Sequence, residues 1–407
     1  MLIKQMRSYF SVNAAQNFGR VLPQAVLTPV LVGKGLDFSE IILVQIAFTI
    51  STLLLEFPCG LLADKTSKTF VYLCSIGLIL CSYLIVYFST GFWMMCVAWA
   101  VYGASAAAQS STLDYYFAER LRSDTRALKR FYSTDQNVML VTSICAALSS
   151  TVLYNLFGDA IYLLSLVFFA LSILLGIVLL PRDTRPQDDK SEQEQEHKGF
   201  RNEIWQGLRL ASRDSRIVSA IALLAITEFA VNPFFHLWQM VLLDSDFTPA
   251  TFGLFFIAFQ VVNVLANYIF SRFHRHQWHN LVALGCLFLI GLVSALADDA
   301  VLLAATLLVL PMPLFIYLGS LHTTLQSAIP SQVMSTVGSL SGTVTAVVGL
   351  VSLGICSTMM TYLSPQLTMG ISLIFFSVVS VGLMRRFSFK RAAVAVQPGP
   401  VSSDVVD

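Results

Sequence analysis

Five charged side chains stand inside long apolar runs: Arg20, Glu56, Asp114, Asp135 and Glu228. A charge in hydrocarbon costs at least about 2.5–3.5 kcal/mol, so each needs a partner, a water-filled cavity or a task. Arg20 and Glu228 lie deepest. Arg20 belongs to a polar stripe of Asn13, Gln16, Asn17, Arg20 and Gln24, spaced i, i+3, i+4, i+7 and i+11, which is one face of a helix. Glu228, Asn232, His236 and Gln239 form a second stripe, with Pro233 placed to kink its helix. A guanidinium offers forked donors to the oxygens of an anion or a carbonyl group. A carboxyl sheltered from water suits a group that loads and releases a proton. The functional reading therefore binds a substrate at Arg20 and carries a proton on Glu228. The structural alternative is a fixed Arg20–Glu228 ion pair that only joins two parts of the fold.

The remaining candidates also allow two readings. Glu56, Asp114 and Asp135 lie near the ends of their segments. They read as gate or scaffold charges paired with Lys65, Lys68 or the Arg-rich loop at 120–130, or, for Asp135 and Glu56, as part of a proton route. His236 reads as a second proton carrier or as a hydrogen-bonded helix residue. Gln260, Asn263 and Asn267 make a third polar stripe. Phe234, Phe235 and Trp238 flank the Glu228 stripe, either as part of a pocket for an amphipathic organic molecule or as lipid-facing rings.

These side chains must be positioned by membrane helices. The chain has 407 residues, 56% of them hydrophobic and 12% charged, about half the charged share of a soluble domain. Runs such as Val71–Phe88 and Ala160–Leu180 are continuously apolar over a bilayer's thickness. Barrel strands would alternate, so the expected fold class is an all-α polytopic membrane protein. Spans are expected near 9–32, 39–62, 69–88, 92–117, 132–156, 159–180, 217–243, 249–270, 281–297, 300–327, 336–361 and 367–384. All basic residues except Arg20 and Lys34 fall at the termini or in alternate loops. The opposite loops hold Asp37, Glu40, Asp244, Asp246, Asp298 and Asp299. The positive-inside rule then places both termini in the cytoplasm, with the chain in a bacterial cytoplasmic membrane.

A charged segment divides the chain six spans and six. The expected units are an N-terminal six-helix bundle at 1–180, a cytoplasmic linker at 181–216, a C-terminal bundle at 217–391 and a disordered tail at 392–407. Within the linker, Pro181–Lys198 reads as flexible. Phe200–Arg216 sets Phe200, Ile204, Trp205 and Leu208 on one face of a helix lying at the membrane surface. The first segment, preceded by Lys4 and Arg7, is a poor signal peptide and is expected to be retained. Pro311 and Pro313 should bend the tenth span. The seven cysteines lie in or beside apolar runs without ligand spacing, so they read as packing residues, and no metal or other cofactor is expected. No stretch reads G-x-x-x-x-G-K-[ST], which leaves ion or substrate gradients as the energy source. Expected partners are a small-molecule substrate, protons and the lipid bilayer, with no nucleic acid, and the working unit is a monomer.

The segment after span two reads Gly60-Leu-Leu-Ala-Asp64-Lys65-Thr-Ser-Lys68. It resembles the major facilitator superfamily signature, roughly G-x-L-A-D-[RK]-x-G-[RK], with Ser67 in place of the second Gly. The resemblance implies twelve helices in two bundles that move a substrate by alternating access. It also implies that spans one, four, seven and ten line the cavity, and that Gly60, Asp64, Lys65 and Lys68, with Asp114, belong to a cytoplasmic gate. Glu56-Phe-Pro-Cys-Gly60 and Leu113-Asp114-Tyr-Tyr-Phe look like elements of bacterial drug-efflux members. Span five, Val138–Tyr154, lacks the Gly-Pro-rich motif that drug/proton antiporters often carry. The expected function is a proton-coupled exporter of a drug-like or natural-product molecule, such as an antibiotic, a small peptide or a siderophore, and not an enzyme. An importer of a small anionic nutrient and a lipid or lysolipid carrier are the alternatives.

Overall fold

Prolines and capping carboxylates decide where the helices start and break. The structure, a computed structural model, describes residues 2–110, 112–121, 124–181, 214–273, 278–329 and 334–395. Asp37 accepts the Glu40 N–H at 2.7 Å, and the Glu40 carboxylate accepts the Asp37 N–H at 3.1 Å, a complete capping box. Asp124, Asp214 and Asp299 also accept first-turn N–H groups. Asp37 and Asp299, which mark one set of loops by their charge, thus also start helices at the positive end of the helix dipole.

The first half comprises α1 (Leu2–Val21), α2 (Leu27–Gly33), α3 (Phe38–Lys65), α4 (Lys68–Phe88), α5 (Phe92–Gln109), α6 (Leu113–Arg120), α7 (Thr125–Phe157) and α8 (Ile161–Leu179). The second comprises α9 (Ser215–Asp244), α10 (Phe252–Phe273), α11 (Trp278–Leu296), α12 (Ala300–Val309), α13 (Pro311–Ala328), α14 (Met334–Met360) and α15 (Pro365–Ala395). Taking α1 with α2, α5 with α6 and α12 with α13 gives twelve spans, with no strand among the described residues. The expected fold class, two six-helix bundles, is the one observed.

Three expected continuous spans are broken. Pro23 has no N–H and disfavours helix at Leu22, so span one passes through a 3-10 turn, Gln24–Val26. Span ten divides at Leu310, ahead of Pro311 and Pro313. Span four stops at Gln109 and resumes at Leu113. Pro233, by contrast, lies within the unbroken α9. The last helix runs through Ala395, four residues into the tail read as disordered. Ala392, Ala393 and Ala395 favour helix there, and the next proline is Pro398. The linker segment 182–213, with almost all of its expected surface helix, lies outside the described residues.

Within the first half, α3 and α4 pack on α5, and α1 packs on α7 and α8. Within the second, α9 packs on α13, α14 and α15, and α11 on α15. Gly291 and Gly370 let the last pair cross closely, since a Cβ on Gly370 would stand 2.7 Å from the Gly291 carbonyl oxygen. Between the halves, α3 meets α14 and α7 meets α10. Gly253 makes the second contact possible, because a Cβ there would overlap Thr151 and the Ala147 carbonyl.

The acidic-loop end ties the halves together. Ser39 Oγ donates to the Ser357 carbonyl at 2.9 Å, and Ser357 Oγ to the Ser39 carbonyl at 3.1 Å. Lys34, the loop cation that breaks the charge sorting, is neutralised here: Nζ lies 3.0 Å from Asp159 Oδ2 and donates to the Tyr87 carbonyl at 2.8 Å. Phe88, Trp93 and Tyr362, at helix ends on this side, are exposed like an interfacial aromatic belt. Toward the basic-loop end, Gln136, Asn137, Asn267, His322 and Gln326 are exposed on spans five, eight and ten. Exposed polar side chains on facing spans suit a water-filled cleft rather than lipid.

Candidate functional site

The α1 stripe divides into residues that knit helices and residues that face open space. Gln16 is buried: its Oε1 accepts the Tyr72 hydroxyl at 2.8 Å, and its Nε2 donates to Gln109 Oε1 at 3.2 Å. Asn17 is buried too. Its Nδ2 donates to Thr142 Oγ1 at 2.7 Å and to Ser143 Oγ at 3.0 Å, which fixes α1 to α7. Its Oδ1 accepts the Arg20 Nη2–H at 2.8 Å. The guanidinium is thus oriented through α7. The Tyr83 hydroxyl donates to the Arg20 carbonyl at 2.9 Å, and Tyr102 is a further hydrogen-bonding neighbour of the Arg20 side chain.

Arg20 borders two cavities. The first, about 320 Å³, lies within the first half and is lined by Tyr9, Asn13, Arg20, Tyr72, Gln109, Asp114 and Asp135, among others. Asn13 Nδ2 donates to Asp135 Oδ1 at 2.9 Å. The second, about 400 Å³, lies between the halves. Arg20, Gln24, Gln45, His236, Gln239 and Gln260 give it a polar side, and Phe235, Trp238 and Phe256 an aromatic one. Phe234 points instead into the core, packed on Phe259 of α10.

Gln239 repairs the break in span one. In an unbroken helix the Gln24 carbonyl would accept the Thr28 N–H. Here the Gln239 amide stands between them: Oε1 accepts the Thr28 N–H at 2.8 Å and Nε2 donates to the Gln24 carbonyl at 2.7 Å. Backbone groups inside a membrane need such partners, and this one comes from the other half.

Arg20 and Glu228 do not face each other. No ion pair joins them among the described residues. Glu228 turns toward α14 of its own half, where a Cβ on Gly349 would lie 3.4 Å from its Oε2. Ser352 Oγ donates to the Glu228 carbonyl at 3.1 Å, and Asn232 Nδ2 to the Gly349 carbonyl at 3.1 Å. The α9 stripe therefore splits: Glu228 and Asn232 meet α14, while His236 and Gln239 meet the second cavity. Asn263 accepts from Asn267 at 3.3 Å, and Glu56 is exposed beside Phe57; neither lines these two cavities.

In the segment after span two, Ser67 caps α4 by accepting the Phe70 N–H at 3.4 Å, which gives the residue in the second Gly position a structural use. Gly60 lies in the last turns of α3, Lys65 ends that helix and is exposed, and Lys68 is buried at the start of α4. The gate role read for Asp64 falls outside the described side chains. Among the described residues, no group of three His, Cys, Asp or Glu side chains has metal-site geometry. The sequence pattern missed Tyr72, Gln109 and Gln45 as site residues. Gln45 was legible as a lone amide in an apolar run, and its Oε1 accepts the Trp99 indole N–H at 3.1 Å.

The model described as Major Facilitator Superfamily matches residues 9–357. The chain belongs to this superfamily. Membership makes it a multi-pass membrane transporter of small molecules, not an enzyme. Solved structures of superfamily-like fold include the nucleoside transporter NupG, at 13% identity and TM-score 0.71, covering 96% of this chain and 99% of that one. A bacterial homologue of the iron transporter ferroportin in an inward-facing state is similar at 16% identity and TM-score 0.71, covering 94% and 99%. A bacterial homolog of the human lysosomal transporter Spinster, inward-facing and unoccupied, is similar at 12% identity and TM-score 0.70, covering 98% and 99%. No curated protein matches this superfamily member.

Proposed function

We propose that this superfamily member is a secondary active transporter, a proton-coupled exporter of a small amphipathic organic molecule working by alternating access. The carrying observation is the second cavity, in which Arg20 and the amides of Gln24, Gln45, Gln239 and Gln260 face Phe235, Trp238 and Phe256 between the halves. A guanidinium takes the oxygens of such a molecule and the rings take its apolar body. Glu228 serves as the proton site, being a carboxylate within a span and without an ion-pair partner among the described residues. The halves, residues 1–180 and 217–391, act as the two moving bodies. The basic loops and both termini face the cytoplasm of a bacterial cell. With that orientation, the tight contacts at the acidic-loop end support an inward-open reading of the described state. Gly60, Asp64, Lys65 and Lys68 close the cytoplasmic end in the alternate state. Export is favoured by the likeness of Glu56–Gly60 and Leu113–Phe117 to efflux members.

The test is growth of a drug-sensitive bacterial strain against a panel of toxic amphipathic compounds. Cells expressing the wild-type chain tolerate at least one compound class at several-fold higher concentration. Arg20→Ala and Glu228→Gln, made at equal membrane abundance, lose that tolerance. Increased sensitivity on expression means uptake and overturns the export reading. Tolerance unchanged by Glu228→Gln removes the proton assignment.

A further inference from the structure

The first cavity adjoins the aromatic one, with Arg20 lining both. Its wall holds one guanidinium and two carboxylates, Asp114 and Asp135. A simple anion drawn to Arg20 meets the Asp135 carboxylate there, and a simple cation drawn to that carboxylate meets Arg20. A molecule with both signs satisfies the cavity, provided its charges match the spacing of the walls.

That spacing can be read from α1. Asp135 Oδ1 is held by Asn13 at 2.9 Å, and Arg20 Nη2 is held by Asn17 at 2.8 Å. Asn13 and Asn17 are one helical turn apart, roughly 6 Å along the axis at the usual rise per residue. A carboxylate and a guanidinium anchored to side chains one turn apart on α1, and lining one cavity, can each hydrogen-bond one end of an amino acid or of a short peptide. Tyr9 and Tyr72 also line this cavity, and their buried rings shield the Asp135 side from water.

We propose that this cavity is an ammonium subsite, with Asp135 binding the amino group of a zwitterionic substrate whose carboxylate is held by Arg20. The inference rests on the transport reading above and narrows its substrate to aromatic amino acids or dipeptides, the aromatic side chain entering the second cavity against Phe235 and Trp238. Asp135 is thereby a substrate-binding residue, and Glu228 remains the proton site.

The test uses the full chain in lipid nanodiscs and isothermal titration. Probes are phenylalanine and alanylphenylalanine, each also as its N-acetyl and its methyl-ester form. At least one free zwitterion binds tenfold or more tightly than either of its blocked forms. Asp135→Asn abolishes the preference over the N-acetyl form and keeps the preference over the ester. The substituted side chain retains the oxygen that accepts from Asn13, and gel filtration confirms a folded, monodisperse protein. Arg20→Gln abolishes the preference over the ester. N-acetyl forms that bind the wild type as well as their parents overturn the ammonium subsite and leave the Arg20 site standing. Esters that bind as well as their parents overturn the Arg20 assignment and this proposal with it. Absence of binding by all probes overturns the proposal, and the growth screen still reads the broader transport function through compounds that lack an amine.

Discussion

Asn17 accepts from Arg20 at 2.8 Å while donating to Thr142 at 2.7 Å, so one buried amide couples the guanidinium to the α7 backbone region. Asn17→Leu removes both roles and leaves the buried Ser143 hydroxyl and the half-buried Thr142 hydroxyl on α7 without this donor. The expected stability loss is about 1–3 kcal/mol, the usual cost of stranding buried polar groups. Transport falls at least about tenfold, the effect of a charge-assisted hydrogen bond worth about 1.4 kcal/mol or more. Asn17→Asp also loses the amide donor to α7 and sets a carboxylate oxygen against the Met139 carbonyl, so it too loses stability, while its charge pairs with Arg20 and competes with the substrate. Thermal unfolding of the purified variants, read beside transport at equal abundance, separates the two effects.

Gln239 should matter for the closure of the acidic-loop end. Gln239→Leu strands the Gln24 carbonyl and the Thr28 N–H, at about 1–3 kcal/mol for each group. Because the lost bonds join the halves, that end opens more often. A cysteine placed at Ile41, in the second cavity, should then react several-fold faster with a membrane-impermeant maleimide added from the acidic-loop side. The seven native cysteines are replaced first. An unchanged labelling rate would show that Gln239 does not hold the closure.

Gly253 is the steric counterpart of that seal. Gly253→Ala places a methyl group against Thr151 and the Ala147 carbonyl. Overpacking of this kind costs about 1–3 kcal/mol, and here it falls only on the closed arrangement of this end. Faster labelling at the same Ile41→Cys site is expected. Adding Thr151→Ala restores the wild-type rate only in part, since the Ala147 carbonyl remains in the way.

Asp214 carries a pH signature outside the spans. The Arg216 side chain donates to its carboxylate at 3.1 Å and, with the Arg216 backbone N–H, holds the Asp214 carboxyl below the ordinary range. A group whose folded value is depressed contributes stability above its unfolded value, about 3.9, and loses it as pH falls through the folded value. Solvent screens the pair, so the contribution is at most about 1 kcal/mol. Asp214→Asn keeps a capping side chain. Its stability should match the wild type more closely below pH 4 than at pH 6 in denaturant titrations.

Much of the architecture was legible because membrane physics acts on every residue of a span. Long apolar runs marked the twelve crossings, the sorting of Arg and Lys from Asp and Glu into alternate loops fitted them, and the 3.6-residue period located the α1 stripe. The misreadings share one cause, which is dependence on a distant partner. Pro23 was visible, but Gln24 extended the polar stripe and made span one read as continuous. The residue that stabilises its break, Gln239, lies on α9 of the other half. Arg20 and Glu228 were matched by depth, yet their directions around the helix axes depend on what each helix packs against. Glu228 follows the close approach of Gly349 on α14, and Arg20 follows Asn17. Lys34 looked like an exception to the charge rule until Asp159 supplied its counter-ion.

The break in span one is placed where a torsion joint between the bundles would be needed. Its longer piece, α1, packs on α7 and α8, whereas α2 touches α3 and also α9 of the opposite half. In the proposed rocking of one bundle against the other, the rotation would fall on the few dihedral angles between Leu22 and Val26, one of which Pro23 fixes. Arg20 sits just before this joint and Gln24 within it, and both line the same cavity. On that proposal the distance between those two side chains follows the angle between the bundles, and the pocket would reshape as the molecule turns, without a separate lid.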